Sequence, residues 1–163
     1  MIARTAVQGE TVSTAWYSEC GSWRYRLMRR WGAGAMLVAV LLNPSTATEA
    51  QDDATVARLV RRARAAGFSG VDLRNLFALR AREPAALRRA ADPVGPGNGV
   101  VLALPGDPVL CGWGAAGGAR GQAVAAALRA GGRRLLCLGL TRQGAPRHPL
   151  YVPASQRMEA WAG

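Results

Sequence analysis

The residues best placed to do chemistry fall in three short polar motifs along the chain: Asn43-Pro44-Ser45, Asn75-Leu76-Phe77 and His148-Pro149. Asn43 follows directly on an apolar run, and the ring of Pro44 pushes it out of helical geometry, so its amide is held at a set angle. Such an amide can position a water or a base. Asn also caps turns and satisfies local backbone groups, and position alone leaves both readings open. Asn75 carries a donor and an acceptor on one amide, and nearby Phe77 offers a ring, a pair able to read the edge and face of a planar heterocycle. The other reading is a strand-end Asn beside a core Phe. His148 is the chain's one histidine and sits between Arg147 and Pro149. A neighbouring cation favours neutral imidazole, which still donates a hydrogen bond to a developing anion. A purely structural histidine is the alternative.

Asp52-Asp53 could supply a carboxylate for activating water, or could cap a helix. Gly112-Trp113-Gly114 and its glycine-rich continuation to Gly121 could present backbone N–H groups to a phosphate at a helix start. That stretch does not fit the GxxxxGK[ST] loop, so ATP or GTP hydrolysis is not expected. Cys20, Cys111 and Cys137 have no CxxC spacing and no His or Cys neighbour at a ligand interval, so neither zinc nor an iron-sulfur cluster is expected. No cofactor is anticipated. Cys111 and Cys137 lie in apolar runs and read as core.

Elements must position these motifs. Residues up to about Gly21 are polar and aperiodic and are expected to be irregular. Trp23, Tyr25, Leu27 and Arg29 alternate as in a half-buried strand, expected to join the sheet antiparallel. Residues 36–42 form an uninterrupted apolar run, which suits a central strand covered on both faces. Val56, Leu59, Val60 and Ala63 share one helical stripe, with Asp52-Asp53 suited to its start and Gly67 to its end. Residues 71–76, 109–113 and 135–140 read as further strands. Short helices are expected after Pro84 and near Val100, and another after the glycine-rich loop. Strands alternating with helices predict a mainly parallel sheet with helices on both sides, where ligands bind beyond the carboxyl ends of the strands. All three motifs follow strands or their connecting loops, so they could share one crevice.

The chain's 163 residues, 50% hydrophobic, suit a single domain, 1–163, with an α/β core over 22–155. No apolar run is long enough to cross a bilayer, and the N-terminus lacks a secretory signal layout, so a cytoplasmic monomer is expected. The 21 basic residues are all Arg and outweigh 10 acidic ones, for a net charge of +11. This excess would draw the protein toward nucleic acid rather than a membrane. A solvated basic face with no partner is the other reading.

Taken in order, Leu42-Asn43-Pro44-Ser45-Thr46-Ala47, Asp53-Ala54-Thr55, Asn75-Leu76-Phe77-Ala78, Asp92-Pro93-Val94-Gly95-Pro96-Gly97-Asn98, Trp113-Gly114 and His148-Pro149-Leu150-Tyr151 closely resemble the bacterial family DUF1643, whose function is unassigned. A more distant resemblance, carried by the order of the Asn43, Asn75 and His148 motifs, is to the uracil-DNA glycosylase superfamily. That resemblance implies a three-layer α/β/α sandwich. It also implies that Asn43 positions the attacking water, Asn75 reads the base and His148 stabilises the departing base. Leu42-Asn43-Pro44-Ser45 lacks the two glycines of the Gly-Ile-Asn-Pro-Gly type of motif, and Leu150 stands where Ser is usual.

The expectation that follows is hydrolysis of the N-glycosidic bond of a deaminated or modified base in single- or double-stranded DNA. Asn43, Asp53 and His148 would act on the bond, Asn75, Phe77, Pro44 and Ser45 would hold the base, and Arg147, Gly114 and Arg120 would hold phosphates. The alternatives are a non-catalytic nucleic-acid-binding module and a hydrolase of free nucleosides or nucleotides.

Overall fold

The long apolar run after Gly34 becomes β4 (Met36–Leu41), with five of its six residues buried. Leu37, Ala39 and Leu41 join one hydrophobic cluster, and Val38 and Val40 join the other. The computed structural model describes residues 1–163. Around β4 the chain forms β1 (Ile2–Gln8), β2 (Thr11–Tyr17), β3 (Arg24–Arg30), β5 (Gly70–Asn75), β6 (Val109–Gly112), β7 (Leu135–Cys137) and β8 (Glu159–Ala160). The helices are α1 (Ala54–Ala65), α2 (Pro84–Arg89), α3 (Asn98–Ala103) and α4 (Gly118–Ala130).

All eight strands belong to one mixed sheet in the order β1-β2-β3-β5-β4-β6-β7-β8. β5, β4, β6 and β7 run parallel, while β1 to β3 and β8 extend the two sides antiparallel. The α/β class matches the expectation and the four central strands are parallel, but four antiparallel pairings against three parallel ones make the sheet mixed rather than mainly parallel, with more than the one antiparallel strand expected. Val56, Leu59 and Ala63 of α1 pack into the Leu37 cluster, whereas Leu87, Leu102, Ala125 and Leu128 from α2, α3 and α4 pack into the Val38 cluster. Each buried Val or Leu among them contributes about 1.5–3 kcal/mol.

The N-terminal segment, expected to be irregular, is instead a hairpin. β1 pairs with β2 along its whole length around Gly9-Glu10, and Gly9 has a φ of 57°. A glycine at the first turn position is what a two-residue type II′ turn needs. β1 is exposed along nearly its whole length, and β2 buries Ser13, Ala15 and Tyr17. Neither strand carries an apolar alternation.

Helix α1 starts where the aspartates suggested. Asp53 Oδ1 accepts from the Val56 N–H at 2.9 Å. Asp52 instead pairs with Arg29, at 2.8 Å. The crossover through α1 places β5 on one side of β4, and the next returns to place β6 on the other. The chain therefore reverses direction across the sheet at β4, and the carboxyl ends of β4 and β6 flank the point where such sheets bind ligands. No helix is long and apolar enough to cross a membrane.

Candidate functional site

Beyond those strand ends lies a cavity of about 570 Å³, lined by Asn43, Ser45, Asp53, Asn75, Gly114, Arg147 and His148 among others. The three motifs therefore meet in one place, and the volume falls in the range of small-molecule sites.

Asn43 is anchored by its NH₂ group, which donates to the carbonyls of Pro44 and Ala81, both at 2.8 Å. Ala81 N–H returns a bond to Pro44 O at 2.9 Å. Both donors are thus spent on backbone, which leaves Oδ1 as the acceptor the amide can offer to a water. Pro44 is buried and does not line the cavity, so its part is to lock this turn.

Asn75 is 2% exposed, and its Oδ1 is enclosed with no hydrogen-bond partner. An unpaired buried acceptor costs about 1–3 kcal/mol, a cost removed when a ligand donor arrives. The backbone behind it is fixed by Asn98, whose Nδ2 donates to Asn75 O and Leu76 O at 3.0 and 2.9 Å.

His148 opens the 3-10 turn at Pro149–Tyr151, and its Nδ1 accepts from Leu150 N–H at 3.2 Å. Burial lowers the imidazole pKa, and the negative charge of Asp53 partly opposes that shift. The ring is therefore neutral, with its proton on Nε2 and Nδ1 already occupied. Tyr151 stands beside it, with ring centroids 5.8 Å apart, and is 73% exposed on the cavity rim.

Asp53 lines the cavity with both carboxylate oxygens engaged, Oδ1 on Val56 N–H and Oδ2 on Ala47 N–H at 3.2 Å. It joins the loop after Asn43 to the start of α1. That makes it a positioning residue rather than a free base.

Besides Pro44, two expected site residues lie outside the cavity lining. Phe77 packs against the Val38 cluster, and Arg120 covers its ring at 5.6 Å while donating from Nε to Leu76 O at 2.6 Å. Neither lines the cavity. The aromatic surface in the cavity comes from Trp113 and Tyr151 instead. The glycine-rich loop has a steric explanation, because a Cβ at Gly117 or Gly121 would collide with the Trp113 indole. Gly114, in contrast, lines the cavity with a φ of 67°.

The sequence reading missed Arg24 and Arg82, which line the cavity. Arg24, Arg80, Arg82 and Arg147 form no ion pair, since the carboxylate-paired arginines are Arg26, Arg29, Arg64, Arg74 and Arg134. Arg24, Arg80, Arg82 and Arg147 are far apart in sequence and Glu83 follows Arg82, so no local pattern marked them.

A family model for proteins of unknown function, DUF1643, matches residues 24–150. The chain belongs to the DUF1643 family. The matched span begins at Arg24 and ends at Leu150, both of which line the cavity of this DUF1643 protein, while β1, β2 and β8 lie outside the span. No curated protein and no solved structure matches the chain.

Proposed function

We propose that this DUF1643 protein binds a nucleobase in the cavity and hydrolyses its N-glycosidic bond, taking the base from DNA on a glycosylase-like three-layer α/β/α scaffold. The observation that carries this reading is the pairing, in one cavity, of the unpartnered Asn75 Oδ1 with the neutral His148. Asn75 supplies an acceptor for a base N–H. His148 Nε2–H donates to the base as negative charge develops on it, Asn43 Oδ1 orients the water whose oxygen bonds to C1′ as the C1′–N bond breaks, and the water's proton ends on the departing base through solvent. Tyr151 offers a face for stacking at the rim. The unpaired arginines receive the phosphates on either side of a flipped nucleotide, whose unstacking costs a few kcal/mol and is cheapest for damaged or mispaired bases.

The test is single-turnover cleavage of duplexes and single strands containing uracil, hypoxanthine, xanthine or alkylated bases. Abasic product from at least one is expected, and none from any would overturn the reading. His148→Ala is expected to slow the chemical step by about 10²–10³ while leaving DNA affinity nearly intact.

The commitment of both Asp53 oxygens to backbone N–H groups favours a second reading, a nucleic-acid-binding module without catalysis. Salt-sensitive binding with no cleavage of any substrate is its signature.

A further inference from the structure

Three arginines are buried: Arg24, Arg29 and Arg74, at 2%, 5% and 1% exposure. Arg29 is paired with Asp52 and Arg74 with Asp72. Arg24 has no carboxylate. Its Nη1 donates to Ala47 O at 2.6 Å, and its Nε is enclosed without a partner.

The acids around it are committed elsewhere. Asp53 holds the N–H groups of Val56 and Ala47, and Glu49 accepts from the Tyr17 hydroxyl at 2.8 Å. Burial pushes the Arg24 pKa down to about 10, so the group remains a cation at neutral pH. A buried, unpaired charge is costly, and removing the partner of a buried ion is strongly destabilising. Asp53 offsets part of the Arg24 charge through space without forming an ion pair with it, and an anion from outside the chain can supply the rest, because Arg24 lines the cavity.

The surroundings define which anion. Ser45, Thr46, Ala81 and Arg82 line both the main cavity and an adjoining recess of about 370 Å³, to which Arg80 also contributes. The recess adds two hydroxyls and two more unpaired guanidinium groups and holds no acid. Several forked cations with hydroxyl donors suit a phosphate, with two free oxygens in a diester and three in a monoester, better than a single carboxylate.

We propose that Arg24, flanked by Ser45, Thr46, Arg80 and Arg82, forms a phosphate subsite within the cavity, so that the ligand enters as a nucleotide with its phosphate against the Arg24 guanidinium. The inference rests on the preceding reading only in taking the other half of the ligand to be a base. Phosphate recognition moves from the outer surface to the cavity itself.

The test titrates the purified full chain with inorganic phosphate, with deoxynucleosides and their 5′-monophosphates (uracil included), and with single-stranded oligonucleotides, by calorimetry and thermal shift. Each monophosphate is expected to bind at least ~10-fold more tightly than its nucleoside. Inorganic phosphate should raise the Tm of the wild type and not that of Arg24→Met, a substitution that keeps side-chain bulk without charge. Wild-type phosphate affinity in Arg24→Met overturns the proposal, as does equal binding of nucleosides and monophosphates. Should Arg24→Met fail to fold, exposed Arg82→Gln takes its place, and unchanged phosphate affinity there overturns the proposal equally. Tighter binding of oligonucleotides identifies an internucleotide phosphate as the source, and tighter binding of monophosphates identifies a free nucleotide. Arg24-dependent phosphate binding without bond cleavage would remove the glycosidic reading alone, whereas cleavage with phosphate binding independent of Arg24 would remove this subsite alone.

Discussion

His148 is the one titratable side chain of the site whose charge changes near neutral pH, and its behaviour follows from two contacts. Leu150 N–H occupies Nδ1, and enclosure in the cavity wall disfavours the cation, with Asp53 acting weakly in the opposite direction. The folded-state value therefore lies below the ordinary 6.5. The unfolded chain binds the proton more readily than the folded one, so this residue's contribution to stability is complete above pH 6.5 and is lost as the pH falls through the folded-state value. As the chain's only histidine, it gives a single Cε1–H resonance, whose titration midpoint is expected below 6.5. A midpoint at or above that value would contradict the neutral Nε2–H donor. His148→Gln is expected to flatten the dependence of Tm on pH across the same range.

Among the elements, the approach to α4 shows how packing decides what a glycine-rich stretch is for. Trp113, the residue after β6, is 3% exposed and meets Trp161 edge-on at 5.6 Å, and its indole lies against the backbone of Gly117 and Gly121. Gly117→Ala and Gly121→Ala are each expected to destabilise by about 1–3 kcal/mol through overpacking, measured by denaturant unfolding. Gly99→Ala in α3, where nothing lies within 4 Å, should instead stabilise by about 0.4–1 kcal/mol. Equal effects at all three positions would mean that backbone freedom, not the indole, explains the glycines. The same contrast between pattern and packing runs through the other elements. The parallel centre was legible because β4 and β6 are uninterrupted apolar runs, and α1 because its stripe and its Asp53 cap coincide. The β1–β2 hairpin was not, because β2 turns Ser13 and Ala15 inward and β1 turns almost nothing inward. Arg24 escaped notice because it lies between Trp23 and Tyr25 of the alternating set, at a position read as facing away from the core, whereas Arg24 and Tyr25 are both buried. At the site, the motifs located Asn43, Asn75 and His148 in one cavity, whereas Phe77 was read from its proximity to Asn75 in sequence. The chain turns after β5, and that turn sends the ring into the core instead.

For the whole molecule, the question is whether the +11 charge is a diffuse property or is focused at the cavity. Away from the cavity, Arg29 and Arg134 are paired with Asp52 and Asp107, and Arg26 and Arg74 share Asp72. Around its mouth, Arg80, Arg82 and Arg147 have no carboxylate partner, but neither do Arg58, Arg61, Arg88, Arg89 and Arg142 elsewhere, so a focused and a diffuse field differ in which substitutions weaken binding. If a nucleic-acid strand lies across that mouth, its affinity should fall linearly on a log–log plot against salt, with a slope of about 0.7 per phosphate contacted on single strands and about 0.9 on duplex. Arg82→Gln and Arg147→Gln are each expected to make that slope shallower by about one contact. Arg134→Gln removes the same charge at the opposite end of the sheet, where Arg134 is bound to Asp107 near the start of β7, and should leave the slope unchanged. Anisotropy titrations of the wild type and the three variants over a range of salt separate the cases. Equal loss of slope in all three would mean that the charge acts as a diffuse field. Loss confined to Arg82→Gln and Arg147→Gln would place the strand at the mouth of the cavity, with Asn43, Asn75 and His148 beneath it.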